Sequence, residues 1–154
     1  MNLNRLFTSL LLMVMSMVCV NATEADDIKK KLEHAQGKEK LELLGELYQQ
    51  SVEGDDFDLI WHNLNNYLKE AQHQGNKSEE SEARYFRIEL FYNYDLNDSI
   101  IHYAEEDMAF IHAHGTKEKF YEAWSCLVNT YVYSGSTATG LKEAEKMYEQ
   151  AKDD

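Results

Sequence analysis

A repeat of about 40 residues is the feature of this sequence that most limits how the chain can fold. A glycine followed within two residues by a lysine occurs at Gly37, Gly75 and Gly115, at spacings of 38 and 40 residues. A chain with an internal period of roughly 20 to 50 residues forms one small unit per period and stacks each unit on its neighbour. The period therefore predicts a repeat architecture.

Each repeat carries two apolar stripes with the spacing of a helix face. The stripe before the glycine has spacings of four, four and three residues, and the stripe after it has spacings of three and four. One face of an α-helix has this spacing, and a glycine suits a helix end in the left-handed conformation. Each repeat is thus predicted to contain a helix A followed by a helix B. The A stripes are Leu41, Leu44, Tyr48; Tyr85, Ile88, Tyr92; and Trp124, Leu127, Tyr131, and the B stripes are Ile60, Leu64, Leu68, Ala71; Ile100, Ala104, Met108, Ile111; and Gly140, Ala144, Tyr148, Ala151.

Short polar turns separate these helices and set the organisation of the chain. The repeats span residues 38–75, 76–115 and 116–154, and residues 23–37 are expected to form a capping helix that covers the first repeat. Asp27 is expected to be the N-cap of that helix. Since no apolar stripe alternates over the length of a strand, we expect an all-α fold of about seven helical segments.

Residues 1–22 have the features of a secretory signal peptide. Arg5 supplies a positive start, an apolar run extends from Leu6 to Val20, and Ala22 offers a small residue at the cleavage position. The run is shorter than the roughly 20 residues that span a bilayer. The sequence predicts export to the periplasm or the medium, and the alternative is an uncleaved membrane anchor.

The charge and cysteine content exclude several kinds of partner. The chain has 15 basic and 28 acidic residues, a formal charge of −13, and its lysines and arginines are scattered. Nucleic acid and anionic lipid are repelled by such a field, whereas cations, basic peptides and uncharged ligands remain possible. Cleavage after Ala22 would remove Cys19 and leave Cys126 alone, so no intrachain disulfide is expected.

Catalytic and metal-binding patterns are missing from the sequence. His112 and His114 are two residues apart, so they lie on different faces of a helix and cannot share a metal as an i, i+4 pair can. There is no Gly-rich phosphate loop, and the acidic clusters at 55–58, 79–82 and 105–107 lack the order of a calcium loop. We expect no enzymatic activity, no cofactor and no metal, with the acidic clusters solvated or at helix starts.

The helix A signature resembles that of the tetratricopeptide repeat family over residues 38–154. An aromatic or apolar residue is followed by a Leu or Ile three positions on and a Tyr four beyond that. The period exceeds the family's usual length of about 34 residues. Glu89 and Asp107 stand where the family places small residues, which predicts looser packing in the second repeat. The signatures are Leu41, Leu44, Gly45, Tyr48; Tyr85, Ile88, Glu89, Tyr92; and Trp124, Leu127, Val128, Tyr131.

The resemblance implies a right-handed α-solenoid whose helices A line a concave surface. Aromatic and asparagine side chains on such a wall can hold a peptide by stacking and by hydrogen bonds to its backbone. Alternatively, Phe86 and Leu90 pack against the next helix. Trp124 is expected in the core of the third repeat. The family's concave positions correspond here to Phe86, Leu90, Asn93, Tyr94, Ser125, Asn129 and Tyr133.

These patterns favour an exported module that binds a protein or peptide. The Gly-Lys ending and the long B helices resemble those of tetratricopeptide arrays found ahead of sensor kinases and regulators in Bacteroides-type bacteria. The alternative is therefore the periplasmic sensor portion of a longer signalling protein, a histidine kinase or a membrane-linked regulator, whose catalytic part lies outside this chain. The last helix B is expected to present an apolar face for more chain, a partner or a second copy, and its residues are Leu141, Ala144, Met147, Tyr148 and Ala151.

Overall fold

The computed structural model describes residues 24–153, and the predicted signal peptide lies outside that range. In this range the chain forms seven α-helices and no strand, which confirms the all-α prediction. None of these helices combines the length and the apolar run that crossing a bilayer requires. The helices are α1 (24–32), α2 (Gly37–Val52), α3 (Phe57–Gln74), α4 (Lys77–Asn93), α5 (Asn97–His114), α6 (Lys117–Tyr133) and α7 (Thr137–Asp153).

The described residues divide into two compact units, 24–67 and 68–153. In the first, Ile28 and Ala35 share a buried cluster with Leu43 and Leu47 of α2. The expectation for Asp27 was wrong, because α1 is already helical from residue 24 and Asp27 pairs with Lys30 one turn later. This first helix is therefore anchored by its apolar side chains.

In the second unit, helices α4, α5 and α6 share one core. Ile88 of α4, Ile111 of α5, and Phe120 and Ala123 of α6 form a single buried cluster. Neighbouring helices pack in the pairs α4 with α5, α5 with α6 and α6 with α7, and α4 also contacts α6 directly. Successive A helices are thus in contact, as stacked helix pairs require.

The apolar stripes are buried to different extents along the chain. In α3 the whole predicted B stripe is buried, and in α5 only Met108 of the stripe is partly exposed. Trp124 was expected in the core but is half buried, because its indole lies at the side of a cavity and donates to Glu143 of α7 at 3.3 Å. In α7, Leu141 and Tyr148 are 61% and 63% exposed. Ala151 is also exposed, whereas Ala144 and Met147 are half buried, so the predicted apolar face of α7 is partly open among the described residues.

The helix ends use two kinds of backbone geometry. Gly75 has φ of 65°, and the next amide, of Asn76, donates to the Ala71 carbonyl at 3.0 Å, so α3 ends in the predicted left-handed conformation. Gly115 corrects that prediction, because its φ is −100°. A Cβ there would lie 2.4 Å from Ser81 Oγ, so a close approach between α4 and the end of α5 accounts for this glycine.

Candidate functional site

An open groove lies between helices α4 and α6, the A helices of the second and third repeats. Its volume is about 430 Å³, and we call it the A-helix groove. On each helix the lining residues are one, three or four positions apart, which places them on one helical face. The lining residues are Tyr85, Glu89, Tyr92 and Asn93 of α4, and Tyr121, Glu122, Ser125 and Cys126 of α6.

Buried packing and helix starts hold the two walls of this groove in position. Ile88 of α4 and Ala123 of α6 are fully buried members of the shared core, and each lies beside groove residues in sequence. Asn76 and Thr116 immediately precede α4 and α6, and their side chains accept hydrogen bonds from backbone amides of the first turns. These caps satisfy amide groups that a helix start leaves without partners. The groove is thus built on rigid elements.

Polar contacts cross the groove at a fixed sequence separation of 37 residues. Tyr85 Oη donates to Glu122 Oε2 at 2.9 Å, and Asn129 Nδ2 donates to Tyr92 Oη at 3.4 Å. Lys119 pairs with Glu82 at the same separation. We call these three contacts the α4–α6 ladder. The ladder joins successive A helices along the side on which the groove opens.

Burial and negative charge shift the titration of the groove residues. Burial raises the pKa of Glu89 above 4.5, and the nearby Glu122 carboxylate raises it further. The pKa of Tyr85 is also raised, by burial and by its hydrogen bond to Glu122. Burial, with smaller contributions from Glu89 and Glu122, raises the pKa of the Cys126 thiol to about 11. The environment of the groove therefore disfavours further negative charge.

A separate cluster of charges holds α4 against α5. Asp107 is 0% exposed and accepts from Arg84 Nη1 and Arg87 Nε at 2.8 Å each. Arg84 also contacts Glu80 at 2.9 Å. Burial would raise the pKa of Glu80, but hydrogen bonds from Arg84, Gln72 and Lys77 outweigh burial and lower it below 4.5. This cluster lies inside the protein, so its role is structural.

The buried cluster corrects two expectations from the sequence. Glu80 lies in the first turn of α4, as expected, but it is buried and paired with Arg84. Asp107 was expected to be solvated or to lie at a helix start, yet it lies inside α5, buried and ion-paired. The second repeat was expected to pack loosely around Asp107. Instead Asp107 is fully buried, and Arg84 and Arg87, the only arginines after residue 5, pair with its carboxylate. The guanidinium groups also lie over the rings of Phe110 and Tyr103, at 4.5 and 4.2 Å.

The residues that the family resemblance placed on a concave wall occupy several environments. Asn93 and Ser125 line the A-helix groove, and Asn129 belongs to the ladder. Phe86 is half buried with the Lys119 ammonium 5.5 Å from its ring centre. Leu90 is buried, which agrees with the alternative of packing inside the protein and leaves a ligand almost no surface there. Tyr94 and Tyr133, at the ends of α4 and α6, are exposed and outside the groove lining.

Several groove residues were not predicted as a site from the sequence. Tyr85 and Tyr92 were assigned to the core because they hold signature positions, but both are half buried and face the groove. Tyr121, Glu122 and Cys126 were assigned no site role. The opposite charges of Glu82 and Lys119 at a separation of 37 residues were the available signal, since they indicate which residues of α4 and α6 face one another.

A second cavity of about 520 Å³ lies among α5, α6 and α7. Its apolar lining includes Phe120, Trp124 and Leu127 of α6, with Glu143 and Lys146 of α7 at one side. Within residues 24–153, no group of three or more histidine, cysteine, aspartate or glutamate side chains is arranged to hold a metal ion.

Comparison of the chain with protein-family models, with curated proteins and with solved structures gives no match. The tetratricopeptide resemblance accordingly stays a prediction based on the signature residues.

Proposed function

We propose that this chain is an exported, tetratricopeptide-like module that binds a segment of another protein and has no catalytic activity of its own. The observation that carries the proposal is the A-helix groove, an open cavity of about 430 Å³ between two helices that share a buried core. Binding sites for small ligands and side chains are typically concave and roughly 300 to 1,000 Å³ in volume. The groove is within that range.

The side chains of the groove are of the types that bind peptides. Tyr85, Tyr92 and Tyr121 provide aromatic area with little conformational entropy to lose on binding. The Asn93 amide can both donate to and accept from a peptide backbone. Because aromatic residues dominate the binding energy of most protein interfaces, we expect Tyr92 and Tyr121 to contribute most of the affinity.

The raised pKa values of Cys126 and Tyr85 favour a binding role for these two groove residues over a catalytic one. A nucleophilic cysteine needs a lowered pKa, and the raised pKa of Cys126, about 11, keeps its thiol protonated at neutral pH. Tyr85, whose pKa is also raised, keeps its proton and donates a hydrogen bond to Glu122. These groups therefore serve better as hydrogen-bonding and packing surfaces than as general bases.

The exposed face of α7 supports a second protein contact. Leu141 and Tyr148 leave large apolar area in solvent, and a helix pair in a repeat array normally buries this face against the next pair. As a second candidate, this chain is the sensor portion of a longer signalling protein, in which a neighbouring segment covers the exposed face of α7. Self-association through α7 would cover the same surface.

Panning of a phage-displayed random peptide library on the immobilised protein tests the proposed function. We expect an enriched peptide family whose binding is lost in the double variant Tyr92→Ala/Tyr121→Ala. Tyr148→Ala is the matched control, because it removes an exposed tyrosine from α7 and leaves the groove unchanged. Peptide binding that is kept in Tyr92→Ala/Tyr121→Ala but lost in Tyr148→Ala would show that the peptide binds at α7 and not in the A-helix groove. Absence of any enriched family would refute peptide binding.

A further inference from the structure

Two carboxylates face the A-helix groove without a cation of their own. Glu89 comes from α4 and Glu122 from α6, and both line the same cavity. Among residues 24–153, no lysine, arginine or histidine forms an ion pair with either carboxylate. Lys119 lowers the pKa of Glu89 through its charge, but its own ion pair is with Glu82. Among the described residues, the two groove carboxylates therefore have partial compensation from Lys119 and Tyr85 but no direct ion pair.

The buried cluster between α4 and α5 shows how this protein treats carboxylates that serve its structure. There Glu80 and Asp107 are paired with Arg84 and Arg87 at 2.8 to 2.9 Å. Both arginines after residue 5 are used in that cluster. A half-buried carboxylate beside a second carboxylate destabilises a fold unless a cation or a proton neutralises it. Unlike the buried cluster, the groove therefore leaves room for a cation from outside the chain.

The rest of the groove lining fits the side chain of arginine or lysine. The faces of tyrosine rings attract a cation and cover the methylene groups that carry it, and Tyr92 and Tyr121 lie in the same lining as the carboxylates. The hydroxyl of Tyr85 donates to Glu122 Oε2, which orients that carboxylate and occupies one of its oxygens. A bidentate guanidinium or an ammonium group can then be shared between Glu89 and Glu122.

We infer that the A-helix groove recognises a basic segment of a partner protein, with one arginine or lysine side chain inserted between Glu89 and Glu122. This inference rests on the proposed function and specifies the chemistry of its ligand. The formal charge of −13 attracts such a segment at long range. A bare calcium ion is a poor occupant, because it requires roughly six to eight oxygen ligands and the groove offers two carboxylates.

The composition of the enriched peptides gives the first test. We expect arginine or lysine at one fixed position when the library is panned on the protein, and loss of that preference on Glu89→Gln/Glu122→Gln. The matched control is Glu118→Gln/Glu145→Gln, which removes the same charge from exposed positions of α6 and α7. A family that needs Tyr92 and Tyr121 but contains no fixed basic residue would overturn the inference and leave the proposed function intact.

A double-mutant cycle on the best enriched peptide separates direct contact from long-range attraction. Replacing its basic residue with citrulline or norleucine should weaken binding about tenfold in the natural protein, as should each single Glu→Gln change in the groove. The same peptide replacement should change affinity less than about twofold in Glu89→Gln/Glu122→Gln, because the interaction is already absent. Equal losses in both backgrounds would overturn the inference. If no peptide is enriched at all, both the proposed function and this inference fail.

Discussion

Replacing Asp107 with asparagine removes the carboxylate that both arginines of the α4–α5 contact share. Asp107 accepts from Arg84 Nη1 and from Arg87 Nε at 2.8 Å each, and its side chain is fully buried. Asparagine has nearly the same shape, so the packing of α5 is preserved while the charge is lost. The substitution therefore removes the charge and one hydrogen-bond acceptor, because the amide nitrogen of asparagine cannot accept from a guanidinium group.

The expected loss in the free energy of unfolding depends on the contacts that Arg84 and Arg87 retain after the substitution. Arg84 retains Glu80 and Glu106, but Arg87 retains only the Tyr103 ring as a contact described for it, at 4.2 Å. Their side chains are 8% and 11% exposed, so water cannot easily replace the lost carboxylate. Breaking a buried ion pair from one side typically costs about 3 to 5 kcal/mol, and we expect Asp107→Asn to cost about that much.

Urea unfolding followed by circular dichroism at neutral pH measures this cost. Glu106→Gln is the control, because Glu106 also pairs with Arg84 but is 73% exposed, and we expect it to cost less than about 1 kcal/mol. Replacing Glu80, Arg84, Arg87 and Asp107 together with Gln, Met, Leu and Leu should recover most of the loss, since the interior then holds none of the charges of this cluster. Equal unfolding midpoints for Asp107→Asn and the natural protein would refute the assignment of this cluster as buried and structural.

Two further predictions concern the groove and the third repeat. Glu89→Gln should raise the free energy of unfolding at pH 7, by less than about 1 kcal/mol for a partly exposed group. Folding raises the pKa of Glu89, so the folded natural protein binds a proton at Glu89 more readily than the unfolded chain does. The stability advantage of Glu89→Gln should therefore shrink as the pH falls and vanish below 4.5. A gain that is unchanged at acidic pH would contradict burial of the Glu89 carboxylate as its cause. Trp124→Ala should lower the free energy of unfolding, measured with urea, by about 2 to 3 kcal/mol, which is less than the roughly 3 to 5 kcal/mol lost at a fully buried tryptophan. The control Asn129→Ala, at an exposed position of the same helix, should change it little. Equal losses for the two variants would show that Trp124 does not pack as described.

Helix positions could be predicted from the sequence because their signal is local. Ile60, Leu64, Ile100 and Ile111 fall on helical stripes, and all four are buried. Such spacing depends only on the geometry of one helix. The same residue spacing predicted the six helices of the three repeats and the turns between them, and the structure contains these helices as α2 to α7.

The buried charges and the groove could not be predicted in the same way, because they depend on which helices meet. In the sequence of α5 alone, Asp107 has the pattern of a solvent-exposed residue. Its burial becomes favourable only when Arg84 and Arg87 of α4 pair with its carboxylate. Tyr85 and Glu122 are 37 residues apart and share a site only after α4 and α6 pack together. The signature positions placed Tyr85 against the core, where it does pack, but they do not say how completely a neighbour covers each residue, and Tyr85 is only half buried.

The α4–α6 ladder has a consequence for how the second unit responds to heat or force. In a repeat array, a terminal helix pair can fray alone when its interface with the preceding pair is weak. Here the Glu82–Lys119, Tyr85–Glu122 and Tyr92–Asn129 contacts connect the second repeat to the third without passing through α5. Separating α6 and α7 from the rest would break these contacts and the shared core in the same step. Helices α4 to α7 should therefore exchange their most protected amide hydrogens at one common rate, as a single cooperative unit.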